Sequence, residues 1–532
     1  MRRLAPAVAA LAAVAAVGMA AACSRPVVLN QDPRASPQAR MADAAQLVRA
    51  GCLDCLVDAY HAYKTVTSEP GAAPAIAEDA TAAAVRAAAL IAIRERELGI
   101  TDSGTLAEAL SLAGSASRST AFESLASLVD IIETLGARGA AGNSPVASDQ
   151  QMAAIATANR NRTAWTERLR AEADGNELAA YLSLAFNCTY NTPRTNEAAD
   201  ALLDALPAWK DTPLVRFRLA TCVGFRMPAL ESLLDENPRF VEVSYYKGLQ
   251  AVIAGDLDEA DAQLDRAYTW RPRWASVAIS RGNVLMTAED FERAGEFYDR
   301  ALVVAPDHPE ALLGKVRALT FAGHYQDALA AIDVLLALER WYIGDARYWR
   351  AVNEVQLERH DEAWDDIEGA AKLITNADVP KLAGVIAVRR QQWPVARAKF
   401  EEAQQRNGAD CETSFYLATV LAAQRQWQAS VDAFVRTADC LDGAQEELQA
   451  EIARLQAPGG SPERQARQIA RREQQLAANI RMRATSWFNT AAGSFNLSRH
   501  DEARRYAERV IDDPQFGDRA RDLLARLPSA TP

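Results

Sequence analysis

The sequence predicts an all-α chain, a solenoid of stacked helix–turn–helix units. Three observations carry this reading. Small residues recur at Ala260, Ala294, Ala328, Ala363, Ala396 and Ser430, at intervals of 34, 34, 35, 33 and 34 residues. A larger apolar residue follows each by four positions: Leu264, Tyr298, Ile332, Ile367, Phe400 and Phe434. No run alternates β-branched and polar residues for long enough to suggest a sheet.

The elements follow in chain order. Arg2 and Arg3 precede an uncharged Ala- and Val-rich run, Leu4 to Ala22, which reads as a secretory signal over 1–22. Residues 23–36 include the Pro-rich polar stretch "SRPVVLNQDPRAS" and read as a tether. Helical patterns occupy 37–50, 54–67, 75–98, 104–113, 119–136, 147–173 and 176–189, broken by "SEPGAAP" and "GARGAAGNSP". The region 37–190 is expected to hold degenerate repeats. "AGCLDCLVDAYHAY" (50–63) looks like the second helix of one of them. Regular repeats fill 191–440, with Ala198 and Ala229 opening two shorter units. Pro272 and Pro306 stop helices where the chain must turn.

Charged patterns at 446–456 and 463–483 flank "APGGSP" and predict a helical hairpin inserted over 441–483. It is either an elongation of repeat helices or a projecting interaction arm. Residues 484–532 hold a last unit, with Trp487, Ala503 and Val510 in pattern, and the capping helix "FGDRARDLLARL".

The 34-residue period, its small crossing residues and its closing prolines resemble the tetratricopeptide repeat. Small side chains let paired helices approach, and each unit leaves an apolar face for the next one to cover. The resemblance implies a concave groove lined by first helices. Its family positions fall on Tyr245, Leu249, Asn283, Arg317, Tyr348 and Phe415, and the expected partner is a protein or peptide segment. "AAACSRP" (20–26) resembles a bacterial lipobox. That family is cleaved before the cysteine, so Cys23 would carry the lipid and anchor the chain to a membrane. Ser24 is in keeping with the outer membrane, facing the periplasm.

With Cys23 assigned to lipid, six cysteines remain. Cys411 near the start of a first helix and Cys440 near the end of the second are brought together by an antiparallel pair. Cys188 and Cys222 lie one period apart. Cys52 and Cys55 form a C-x-x-C with no second pair to complete a zinc site and no βαβ context for redox work, so their expected role is structural.

The chain has 532 residues, 49% hydrophobic and 24% charged, with a formal net charge of −12. Acidity of this size opposes a nucleic-acid partner, because phosphates need a basic face. No H-E-x-x-H, G-x-S-x-G or phosphate-binding loop occurs. His61, His308, His324, His360 and His500 are far apart, four of them at expected turns or helix ends, and no metal, cofactor or catalytic residue is assigned. The leading function is a non-catalytic envelope lipoprotein that scaffolds protein contacts, in outer-membrane assembly or secretion. The alternative is a solute-binding transport accessory. An enzymatic part in 37–190 has no motif behind it.

Cys23→Ala is expected to abolish palmitate incorporation and detergent partitioning. Label retained in that variant, or absent from the parent, overturns the lipid anchor.

Overall fold

The computed structural model describes residues 35–100, 103–113, 120–140, 149–190, 195–222, 227–339, 342–457 and 459–528. Cys23, the signal and most of the tether lie outside the described residues. Everything regular among the described residues is helical. The first group is α1 (Pro37–Ala50), α2 (Leu53–Thr67), α3 (Pro74–Leu98), α4 (Thr105–Ala113), α5 (Thr120–Ala140), α6 (Asp149–Glu172) and α7 (Glu177–Tyr190). Pairs then follow: α8 (Asn196–Asp204), α9 (Pro213–Cys222) with α10 (Met227–Glu236), α11 (Glu242–Ala254) with α12 (Leu257–Trp270), and α13 (Ala275–Thr287) with α14 (Phe291–Val304). The array continues with α15 (Pro309–Ala322) and α16 (Tyr325–Ala337), α17 (Ile343–Gln356) and α18 (His360–Ala371), and α19 (Asp378–Arg389) and α20 (Trp393–Arg406). It ends with α21 (Cys411–Ala423), α22 (Trp427–Leu455), α23 (Pro462–Asn496), α24 (His500–Glu508) and α25 (Gly517–Arg526).

From α11 onward the chain is a helical repeat solenoid. The six periodic small residues are 0–2% exposed, and so are the six larger residues four positions on. Each large side chain lies over the first helix of its own unit. A Cβ added to Gly248 would sit 2.6 Å from Leu264, one on Gly282 2.7 Å from Tyr298, and one on Gly384 2.6 Å from Phe400. Those distances are below van der Waals contact, so the first helix must carry glycine there for the second helix to seat its ring or branch. Where the large residue is Ile332, Ile367 or Phe434, the facing slot holds Val316, Ala351 or Ala418, each fully buried.

The turn inside each unit repeats as well. Gly255, Glu289, Gly323, Glu358, Gln391, Arg425 and Ser498 occupy one slot just beyond a first helix, all with φ between 58° and 87°. Only two are glycine, so five side chains are held in the left-handed region by their units.

In residues 37–190, where degenerate repeats are expected, α3 packs against α1, α2, α4, α5 and also α7, drawing these helices into a bundle. The cause is its composition: Ala83–Val85, Ala87–Ile91 and Ile93 are all buried, so this helix is apolar on every side and must be surrounded. Bundle and array share one core, running from Ala44 to Val284. Their junction is polar and specific. Arg94 and Glu242, both fully buried, pair at 2.7 Å, and Leu53 N–H donates to the same carboxylate oxygen at 3.0 Å. The Trp274 indole donates to the Leu98 carbonyl at 2.6 Å, and Trp270 and Arg271 both donate to Asp54.

The hairpin expected at 441–483 is not a separate insertion. α22 runs unbroken for 29 residues and α23 for 35, so the second helix of one unit and the first helix of the next are prolonged. No proline interrupts either one, and Gly443 faces solvent. Nor does the arm project freely, because its tip folds back onto the array.

The cysteines pair as Cys52–Cys55, Cys188–Cys222 and Cys411–Cys440, with Cα separations of 4.9, 5.4 and 5.6 Å.

Ala294→Leu forces methylenes into a packed crossing and should cost about 1–3 kcal/mol. In a solenoid the damage should spread to neighbouring units first. Hydrogen exchange should show lost protection centred on residues 260 to 335, and uniform loss along the chain would contradict nearest-neighbour stacking.

Candidate functional site

The crossing that seats Tyr298 also builds a concavity. Its ring lies between two first helices, because both face it with glycine: a Cβ on Gly314 of α15 would stand 2.4 Å from the ring, as one on Gly282 of α13 would stand 2.7 Å away. The ring is therefore buried while its hydroxyl reaches the groove and donates to Asn283 Oδ1 at 2.6 Å. Asn283 Nδ2 in turn donates to Glu310 Oε1 at 3.3 Å. The amide is thus oriented from both sides.

A cavity of about 630 Å³ opens over this relay. Met286 and Thr287 line it from α13, Leu313 and Arg317 from α15, and Tyr342 from the turn before α17. Tyr342 is held at φ 52°, in the left-handed region, where it lines the groove. Burial pushes its hydroxyl up to about 12, with Glu310 and Asp345 adding to the rise. Burial also raises the Tyr298 hydroxyl. Both tyrosines are therefore neutral over the physiological range. Asp345 is raised by burial, and its own backbone hydrogen bond and the nearby Arg317 pull it the other way. The Arg317 guanidinium, exposed on the groove wall, makes no ion pair or hydrogen bond among the described residues. The site presents a fixed amide, neutral hydroxyls, an available guanidinium and two apolar side chains. That set can bind carbonyls, amides and carboxylates. It contains no nucleophile paired with a base.

The structure brings Asn283 and Arg317 together. The other sequence-derived groove positions lie on first helices but outside this cavity. Tyr245 packs against Trp274 with ring centroids 4.9 Å apart, Tyr348 against Trp349 at 5.5 Å, and Phe415 against Phe434 at 6.0 Å. Leu249 is half-buried on α11. Met286, Thr287 and Leu313 were legible in principle, being one helical turn from Asn283 or Arg317. Tyr342 had no periodic signal, since it stands in a turn.

A second cavity, about 360 Å³, lies in the N-terminal bundle beside Trp209. Arg49 covers that indole at 4.5 Å, and Arg86 pairs with Glu177 at 3.0 Å on its wall. Among the described residues, no group of His, Cys, Asp and Glu could hold a metal. No described helix is long and apolar enough to cross a membrane.

Residues 285–355 match the tetratricopeptide repeat family. The matched segment contains most of the larger cavity, from Met286 to Tyr342. No curated protein matches the chain. Solved structures of similar fold include YrrB, a tetratricopeptide protein described as having an unusual peptide-binding site, at 18% identity and TM-score 0.29, with 33% of this chain and 91% of that one covered. PilW, a type IV pilus biogenesis factor, aligns at 15% identity and TM-score 0.35, covering 37% and 91%. A tetratricopeptide repeat protein from Parabacteroides merdae aligns at 14% identity and TM-score 0.33, covering 54% and 97%.

One further ionisable cluster lies between α17 and α18. Glu354 of α17 is 6% exposed, and burial, reinforced by Asp366, raises its carboxyl to about 7. Asp366 is itself raised by burial and pairs with Arg347 at 3.3 Å. The folded state therefore holds a proton on Glu354 that the unfolded chain has released. Stability from this group is full below about 4.5 and is lost as pH rises through about 7. Glu354→Gln should gain on the parent across that window by roughly 1–2 kcal/mol, allowing for solvent screening. Thermal melts at several pH values check this, and a difference independent of pH contradicts it.

Proposed function

We propose that this chain is a non-catalytic scaffold of the cell envelope, holding a segment of a partner protein in the groove between α13, α15 and α17. The observation that carries the reading is the polar relay under the larger cavity. Tyr298 and Glu310 fix the Asn283 amide, while the Arg317 guanidinium beside it makes no ion pair or hydrogen bond among the described residues. An exposed amide held at both ends is ready to meet a peptide group without losing further side-chain freedom. Arg317 adds a site for a carboxylate, from an acidic side chain or a chain terminus. Apolar contact comes from Met286 and Leu313. The repeat architecture supports the same reading, since such arrays expose long concave surfaces.

The address is part of this proposal. The signal-like N-terminus and Cys23 fit export and lipidation, and three disulfides fit an oxidising compartment. A lipid-anchored scaffold facing the periplasm suits outer-membrane assembly or secretion. The cavity beside Trp209 favours a second reading, in which the bundle takes up a small solute.

A photo-crosslinking side chain at Leu313 should capture a defined envelope protein. Arg317→Glu should lower the yield at least several-fold, and the same probe at the distant convex position Arg436 should capture nothing. Equal capture at both positions, or none at Leu313, overturns the groove reading. A small molecule co-purifying with intact protein and released by Trp209→Ala would favour the solute reading.

A further inference from the structure

The tip of the α22–α23 arm meets the turns of units about 200 residues earlier in the chain. The Ser461 N–H donates to Asp258 Oδ2 at 3.0 Å, and Arg464 donates to the same carboxylate at 2.9 Å. Arg467 pairs with Asp290 at 3.2 Å, and Arg472 donates to Glu289 at 2.8 Å. Arg471 lies over the Phe291 and Phe321 rings, at 4.9 and 5.6 Å, and those rings stack on each other. The arginines follow helical spacing on one face of α23. The acceptors sit at or just after the inner turns of two successive units.

We propose that this edge of the array, formed by Asp258, Glu289, Asp290, Phe291 and Phe321, is a docking surface for an arginine-bearing helix. Its occupant is the chain's own segment 461–472, and release of that segment opens the neighbouring groove. The gating step rests on the groove reading above; the docking does not. One observation favours a reversible contact. No described residue between 446 and 483 is buried, whereas every crossing in the array has a fully buried alanine or serine. The arm is therefore held by charge and by stacking over rings, without an apolar core of its own. The Asp258 carboxylate is half-exposed and those of Glu289 and Asp290 lie at the array surface with little exposure, so the pairs at Asp258 are the weakest and the most open to screening by salt. The link to the groove is positional. Glu289 follows Thr287 by two residues and Phe321 follows Arg317 by one helical turn, so the docked tip holds the ends of the two helices whose earlier turns line the larger cavity. The arm also ties the units around α11–α14 to those around α21–α24, which fixes the curvature between them.

The test uses the full chain with its disulfides intact and nitroxide labels at Ala262→Cys and Ala466→Cys, both exposed. Electron–electron distance measurement at low salt should give one narrow, short distance. That distance should be lost at 1 M salt, where the screening length falls to about 3 Å. It should also be lost at low salt in Arg464→Asp with Arg471→Glu and Arg472→Glu. The exchange Asp258→Arg with Arg464→Asp should restore the short distance, which excludes misfolding as the cause. An unchanged distance in the triple variant overturns the docking surface. A lengthened distance with no several-fold rise in crosslinking from Leu313 overturns the gating. The distance measurement needs no ligand, so it stands or falls apart from the groove reading.

Discussion

The array depends on a steric bargain made inside each unit, where a bulky residue on the second helix lies on a slot too small to hold it off. Leu264, Tyr298 and Phe400 face glycine, Ile367 and Phe434 face alanine, and Ile332 faces valine. Close packing of this kind tolerates little extra volume. The binding surface comes from the same contact. Tyr298 can put its hydroxyl into the groove only because Gly282 and Gly314 both stand aside for its ring.

Much of this was legible in the amino-acid order. A period of 34 is visible because the crossing needs a small residue at one place in every unit. The N-terminal helices begin and end within a few residues of their expected bounds, since Gly51, Pro74 and Gly99 punctuate them. What stayed hidden was long-range and electrostatic. Arg94 meets Glu242, Arg271 meets Asp54, and Arg464 meets Asp258, with 148 to 217 residues between partners. No local pattern encodes such pairings. The extra contact of α3 with α7 was hidden for a related reason. Periodicity reports which face of a helix is apolar, and α3 is apolar on all of them. The arm was visible as two charged helices, but its docking was not, because acidic turns and basic helices each look solvated alone.

The candidate site shows the same division. Asn283 and Arg317 came from their places in the repeat, and the structure sets them on one cavity wall. Tyr342 and the relay from Tyr298 through Asn283 to Glu310 needed three dimensions. The aromatic positions at Tyr245, Tyr348 and Phe415 turned toward neighbouring rings. In a solenoid the first helices serve the core and the groove at once, and a large ring is pulled toward whichever offers more contact.

The buried pair of Arg94 and Glu242 has a consequence for the order in which the molecule comes into being. The guanidinium belongs to the bundle and its countercharge to the first helix of the array. A buried charge without its partner is strongly destabilising. Until residue 242 is available, α3 must keep Arg94 in water, so the centre of the bundle stays open. At about 5–20 residues per second, synthesis of the intervening 148 residues takes roughly 7–30 s. The bundle is thus the first part made and cannot be the first part finished. A chain that halts before its array begins leaves a hydrophobic, unclosed body, marked for quality control by the charge it could not bury.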